Sequence, residues 1–260
     1  MTLASLHLIG VRPLLSRLEP GHLVALIGRL YRAVSHAAAR HGAFPRSGRG
    51  SDLVLVWNSA RGPEGDGPVA CRVIWDLVGG LRGLESEVRH QYGVALSPRA
   101  GIASQDTLPG PEPVPPEVEM RAHLLQRATP TYGTRVLVDG TTAATATRVM
   151  ELREVDALSS PGDASPTPPR RESTIHRILG PRGEVPAEQL GAAVALGGAL
   201  ELYRLGEWSK AAAVLELLSR GPTPDPLARL YLERCRRRQS GSGEARLADL
   251  SRSPGSPRWI

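Results

Sequence analysis

The stretch that most constrains the fold is residues 41–57, His-Gly-Ala-Phe-Pro-Arg-Ser-Gly-Arg-Gly-Ser-Asp-Leu-Val-Leu-Val-Trp. Its last five residues, Leu53 to Trp57, form an apolar run rich in β-branched and aromatic side chains, with turn signals just ahead of it. Such a run reads as a buried central strand. The segment before it reads as a helix. After Pro20-Gly21, residues Leu23, Leu26, Ile27, Leu30, Val34 and Ala37 recur at helical spacing, and Gly42 suits the left-handed position beyond the helix end. The glycines of Ser47-Gly48-Arg49-Gly50-Ser51-Asp52 lack the lysine and following helix of a phosphate-binding loop, so they read as a hairpin turn. His22, His36 and His41 fall in the same region without the spacing of converging metal ligands, and they read as solvated or capping side chains.

The core around this hairpin must be built from what the chain contains. With 41% hydrophobic residues over 260, there is room for one full domain and a smaller appendage. Phe44 is the sole phenylalanine, so leucine, valine and alanine must fill most of the core. The net charge of +6 raises the question of nucleic acid. Electrostatic binding of that kind needs a contiguous basic patch. Here the arginines are scattered except for Arg234 and Arg236–Arg238, and Lys210 is the only lysine, so no nucleic-acid partner is expected. Cys71 and Cys235 lie far apart and outside any ligand motif, which argues against a disulfide framework or zinc site and fits a reducing cytoplasm. No apolar run approaches the roughly 18 residues of a membrane span, and the N-terminus lacks the pattern of a signal peptide.

The remaining elements follow in order. Residues 3–9 fit a first strand, 58–67 a loop, and 69–91 one amphipathic helix with Val73, Ile74, Leu77, Val78, Leu81, Leu84 and Val88 on its apolar side. A strand is expected at 99–103. Residues 104–117, with five prolines, fit no regular element. A helix at 118–126 and strands at 136–138, 153–156 and 174–179 follow, with a flexible insertion at 159–171. From Pro186 the pattern turns helical through Trp208 to Arg238, where Ala211 and Ala212 permit close helix approach. Residues 239–260 are rich in Ser, Gly, Pro and Arg and are expected to be disordered.

Several of these motifs together resemble the catalytic domain of class III nucleotide cyclases. His41, Gly42, Phe44, Gly50 and Trp57 match the family's hairpin pattern H-G-G-F-x-D-K-x-x-G-D-x-x-x-x-x-W/F. Residues Leu6 to Pro13 resemble its first strand F-x-D-I-x-x-F-T, keeping Ile9. Arg99-Ala100-Gly101-Ile102 resembles R-x-G-I, and Val118 to Gln126 resembles V-N-x-A-A-R-L. Arg153-Glu154-Val155-Asp156 is similar to a later family strand, and "LYRLGEWSKAA" with "PDPLARLYLERC" is similar to the tetratricopeptide-like tail of some bacterial adenylate cyclases. Relatives usually carry sensor or membrane segments upstream. Here the similarity begins almost at Met1, as in a stand-alone remnant or a truncated start.

The resemblance implies an α+β fold, a ferredoxin-like βαββαβ cyclase sandwich over residues 1–182, followed by a small all-α helical-repeat tail at 183–238 and a disordered basic tail at 239–260. It also implies a two-metal site, at which this chain departs from the family at every matched position. Leu8 and Ser51 stand where the metal-binding aspartates belong, Ser47 at the purine-contacting lysine, Glu119 at the ribose-positioning asparagine, and His123 at the arginine that stabilises phosphate charge. Asp52 is one residue beyond the second metal position, and a one-residue shift in a strand reverses the face. The expectation is therefore a cyclase homologue without catalytic residues, metal or cofactor, with Ser47, Glu119 and His123 as a vestigial nucleotide site. It would act as a dimerising or regulatory module, alone or with an active cyclase, with a protein partner on the helical tail. The alternatives are an active adenylate cyclase using Mg2+ or Mn2+ on displaced ligands such as Asp52 and Glu119, and a helical-repeat adaptor.

Overall fold

The computed structural model describes residues 1–47, 52–59, 62–106, 114–157, 174–220 and 224–240. The elements run β1 (Thr2–Ile9), α1 (Val11–Leu15), α2 (Pro20–Arg40), β2 (Phe44–Ser47), β3 (Leu53–Trp57), α3 (Gly62–Gly80), α4 (Arg82–Tyr92) and β4 (Ser97–Ser104). They continue with α5 (Pro116–Ala128), β5 (Val136–Asp139), α6 (Gly140–Ala146), β6 (Met150–Ala157), β7 (Thr174–Pro181), α7 (Ala187–Arg204), α8 (Trp208–Arg220) and α9 (Pro226–Gln239). Seven strands form one sheet in the order β2-β3-β1-β4-β5-β7-β6, giving a mixed α+β fold. The chain divides into two compact units, Met1–Leu152 with Ile175–Glu184, and Arg153–Thr174 with Val185–Ile260.

In the first unit β1 is antiparallel to both neighbours, pairing Ala4 with Leu55 and with Ile102, while β5 runs parallel to β4. Side chains alternate across a sheet, so Ala4, Leu6, Leu55, Ala100, Ile102 and Val138 share one face. That face carries the main core, packed under Val34 and Ala38 of α2 and Val73, Ile74 and Leu77 of α3. Trp57 is buried there too, its indole Nε1 donating to the His41 carbonyl at 3.2 Å. His41 ends α2, and Gly42 beyond it takes φ +68°, which turns the chain into the hairpin.

Two elements depart from the sequence reading. Residues 69–91 are two helices rather than one, because Gly79-Gly80 ends α3, and glycine is a poor helix former. The division has a packing reason. Val73, Ile74, Leu77 and Val78 belong to the main core, whereas Val88, with Leu84 against it, belongs to a second cluster with Leu14, Leu18, Leu26, Val94 and Leu96. The segment read as a loop before it is helical from Gly62, and Asp66 anchors that start by accepting from Ser59 N at 2.9 Å and Ser59 Oγ at 2.5 Å.

The opposite face of the sheet receives α5. Ser5 pairs with Gly101, and the missing side chain of Gly101 admits the helix: a Cβ there would stand 2.1 Å from the Ala122 carbonyl oxygen and 2.3 Å from Gln126 N. Those contacts are with backbone atoms, which have no rotamer to escape into.

In the second unit α8 packs on both α7 and α9, and Tyr203 meets Tyr231 edge to face at 5.3 Å between centroids. Three ion pairs tie the strand residues Arg153, Glu154 and Asp156 to Asp225, Arg204 and Arg234 respectively. Arg153 is buried, and its Nη1 lies 2.5 Å from Asp225 Oδ2; the other oxygen of Asp225 caps α9 by accepting from Leu227 N at 3.0 Å. The insertion expected at 159–171 lies outside the described residues, as does the terminal segment from 241, while Gln239 closes α9.

Two stability measurements test this packing. Gly101→Ala is expected to cost about 3 kcal/mol, because overpacking against backbone must displace α5. Thermal unfolding should show a Tm lower by roughly 6–12 °C, and an unchanged Tm would mean that α5 is not held that close. Asp225→Ala should cost about 3 kcal/mol or more, since it removes a helix cap and leaves the Arg153 guanidinium buried without its carboxylate. The companion Arg153→Met should be milder in the same urea titration, because an apolar chain replaces the charge it removes.

Candidate functional site

The positions matched to cyclase chemistry fall in three places. Leu8, near the end of β1, packs against the second apolar cluster of Leu14, Leu18, Leu26, Val88, Val94 and Leu96. Ser47 closes β2 and is exposed, and Ser51 lies outside the described residues. Glu119 and His123 lie one helical turn apart on α5. The structure thus brings Glu119 and His123 together on one helix but sends Leu8 into a core on the other face of the sheet.

Next to Leu8, His7 takes the face that Leu8 leaves. Leu6 pairs with Leu53, so one step further His7 stands across from Asp52 on the side of the sheet where α5 lies. Asp52 sits between two imidazoles. His7 Nδ1 is 2.7 Å from its Oδ1, and His123 Nδ1 is 2.8 Å from its Oδ2. Asp52 is only 7% exposed, whereas the His7 and His123 side chains keep 33% and 22% of their surface in solvent. Burial alone would push the carboxyl pKa up. The hydrogen bonds and charge of His123 and His7 outweigh it and hold Asp52 down at about 2. An ionised carboxylate only accepts, so His7 Nδ1 donates to Oδ1, while His123 Nδ1 stands at ion-pair distance from Oδ2. The cluster joins β1, β3 and α5 through one carboxylate.

A second buried carboxylate holds the same helix through Arg121, two residues before His123. Asp139 ends β5 and caps α6, accepting from Thr142 N at 2.9 Å and Thr142 Oγ1 at 2.6 Å. Its Oδ2 accepts from Arg121 Nη1 of α5 at 3.0 Å. Ser104 Oγ lies 2.8 Å from Thr142 Oγ1 and 2.9 Å from Thr2 Oγ1, extending the network to β1. Burial pushes the Asp139 carboxyl above its ordinary range, against the opposing hydrogen bonds of Thr142 and charge of Arg121.

Sequence reasoning weighed Asp52 and His123 separately and did not single out His7, Arg121 or Asp139. The signal for His7 was period-two alternation with Leu3 and Ser5, but its meaning depends on the register of β1 against β3. Asp139 could have been found as a helix cap, since Asp-Gly-Thr-Thr after an apolar strand has the composition of a helix start.

Comparison with solved structures places this architecture. The adenylyl cyclase CyaB from P. aeruginosa superposes with a TM-score of 0.55 at 16% identity, over 71% of this chain and 96% of that one. The guanylyl cyclase Cya2 gives 0.51 at 16% identity, over 70% and 93%. A bacterial light-regulated adenylyl cyclase gives 0.52 at 10% identity, over 68% of this chain and half of that one, 50%. No family model matches the chain, and no curated protein does either. The likeness is one of fold: the chain has the cyclase-like α+β architecture of class III adenylyl and guanylyl cyclase domains. Among the described residues, no helix is long and apolar enough to cross a membrane.

The Asp52 cluster has a pH signature. Its carboxyl pKa falls from 3.8 to about 2 on folding. The unfolded chain therefore binds more protons between those values, so the stabilisation is fully present above about pH 4 and is lost as pH falls through 2. Asp52→Asn should lower stability at pH 7 by about 1–2 kcal/mol. In urea titrations the gap between wild type and variant should close between pH 4 and pH 2. A gap independent of pH would show that the carboxylate's charge contributes nothing.

Proposed function

We propose that the chain is a cyclase-homology signalling module that has lost nucleotide cyclisation and works by association, with itself or with an active cyclase. The observation that carries this reading is the pair of fates at the matched positions. Leu8 offers no donor atom and is packed among leucines and valines, where a divalent cation would stand uncompensated. His123, at the position of the charge-stabilising arginine, turns inward onto Asp52 of its own chain. An imidazole already turned onto Asp52 through Nδ1 cannot supply the forked guanidinium that phosphate charge requires. The two-cation chemistry implied by the fold family does not fit this donor set, and no step is derived through it.

Association is supported by exposed apolar side chains on the first unit. Met120 and Leu124 are 39% and 50% exposed at i and i+4 on α5, and Phe44 is 67% exposed on β2, an edge strand. Edge strands and apolar helix faces are the surfaces that a second chain covers. The helical unit offers a separate surface for the adaptor reading, with Val194, Leu205 and Leu217 each at least 76% exposed.

The test is incubation of the purified protein with ATP or GTP and excess Mn2+, measuring cyclic nucleotide against a boiled control. No product is expected. Product that disappears in Asp52→Ala would overturn the reading and make Asp52 a metal ligand. Leu124→Arg should shift any self-association seen by light scattering toward monomer, without changing the circular dichroism spectrum.

A further inference from the structure

A groove of about 510 Å³ lies between α2 and α3, on the side of the first unit away from α5. Its floor is apolar, from Ala33 and Ala37 of α2 and Val73 and Leu77 of α3. Gly80 leaves one end open, since a Cβ there would meet nothing within 4 Å. The α2 wall carries three nitrogen-bearing side chains in one turn and its exit, His36, Arg40 and His41. Among the described residues Arg40 has no ion pair, and it is the one guanidinium lining the groove. The opposite wall carries Asp76, whose Oδ2 is 2.9 Å from Arg72 Nε and whose charge is therefore already answered. The negative end of α2 is partly spent as well, because the Ala38 carbonyl accepts from His41 N and Ala43 N at 3.1 and 3.0 Å.

We propose that this groove binds a monocarboxylate with an apolar tail, the carboxylate on Arg40 with His36 and His41 beside it, and the tail along Ala37, Val73 and Leu77. Three physical points select that class. The volume lies within the range of small-molecule sites, about 300–1,000 Å³. The apolar floor with a few polar groups at one rim suits an amphiphile rather than a wholly polar ion. The charge balance suits one negative charge: Arg40 is the one guanidinium among the lining residues, and it has no carboxylate partner of its own. A guanidinium also receives a carboxylate through two parallel hydrogen bonds. This site is distinct from the surface proposed above for association, so it would make the module responsive to a small acid.

The test is calorimetric titration of the full chain at fixed ionic strength with decanoate, and with decanol and acetate as probes carrying the tail or the charge alone. Decanoate should bind saturably at one equivalent, with decanol and acetate each at least tenfold weaker. Arg40→Ala changes an exposed residue and should leave the fold intact by circular dichroism. It should weaken decanoate at least tenfold, with Arg40→Lys in between. Leu77→Asn, whose folding is checked in the same way, should weaken decanoate and decanol alike. Decanol binding as tightly as decanoate, decanoate binding indifferent to Arg40→Ala, or no saturable binding below millimolar concentration would each overturn the proposal. None of these outcomes bears on cyclisation, which the Mn2+ assay reads separately.

Discussion

The close approach of α5 to the sheet governs the rest of the first unit. Gly101 lets the helix backbone come within contact of β4, and two buried carboxylates then fix its position, Asp52 through His123 and Asp139 through Arg121. Each carboxylate stands on or beside a different strand, so the helix is held from two strands through residues two positions apart. Burying a carboxylate is costly unless it is paired and hydrogen-bonded. Both are. The two differ in outcome, though. Asp52 gains enough from its imidazoles to fall to about 2, whereas burial dominates at Asp139 and moves it the other way.

The alternation of β1 explains why the site has the character it has. Leu8 and His7 are neighbours in sequence and point to opposite faces, one into an apolar cluster and the other toward Asp52. An acidic residue at 8 would have to be accommodated among Leu14, Leu18 and Leu26, with no counter-charge in that cluster. The polar residues that remain in this region have instead been drawn together at α5. They form a set in which one carboxylate is shared by two imidazoles, an arrangement suited to holding elements in place.

Much of this architecture was legible in the sequence because it rests on local signals. The buried strand at Leu53–Trp57, the left-handed glycine at 42, and the three tail helices around Trp208 all announce themselves by period, turn residue or break. The division of α3 from α4 was less legible, since Val73 to Val88 keep one helical period across Gly79-Gly80 while serving two separate clusters. The His7–Asp52–His123 cluster was not legible at all. Its members are 45 and 71 residues apart along the chain (52 − 7 and 123 − 52), and only strand register and the depth of α5 bring them together. Side chains that pair across such separations leave no spacing in a single sequence.

The arginine content is explained by the same physics. A net charge of +6 suggests an electrostatic partner, yet many of the arginines are spent within the fold. Arg135 forks onto Glu85 and Arg29 onto Glu87, each through two nitrogens, while Arg121 reaches the buried Asp139, the buried Arg153 pairs with Asp225, and Arg234 both pairs with Asp156 and covers the Tyr231 ring at 4.6 Å. The planar guanidinium makes such paired and stacked contacts where an ammonium cannot, which gives arginine a structural use in a chain with a single lysine. Arg40 stands outside these pairings, at the rim of an apolar groove whose facing carboxylate already has a partner.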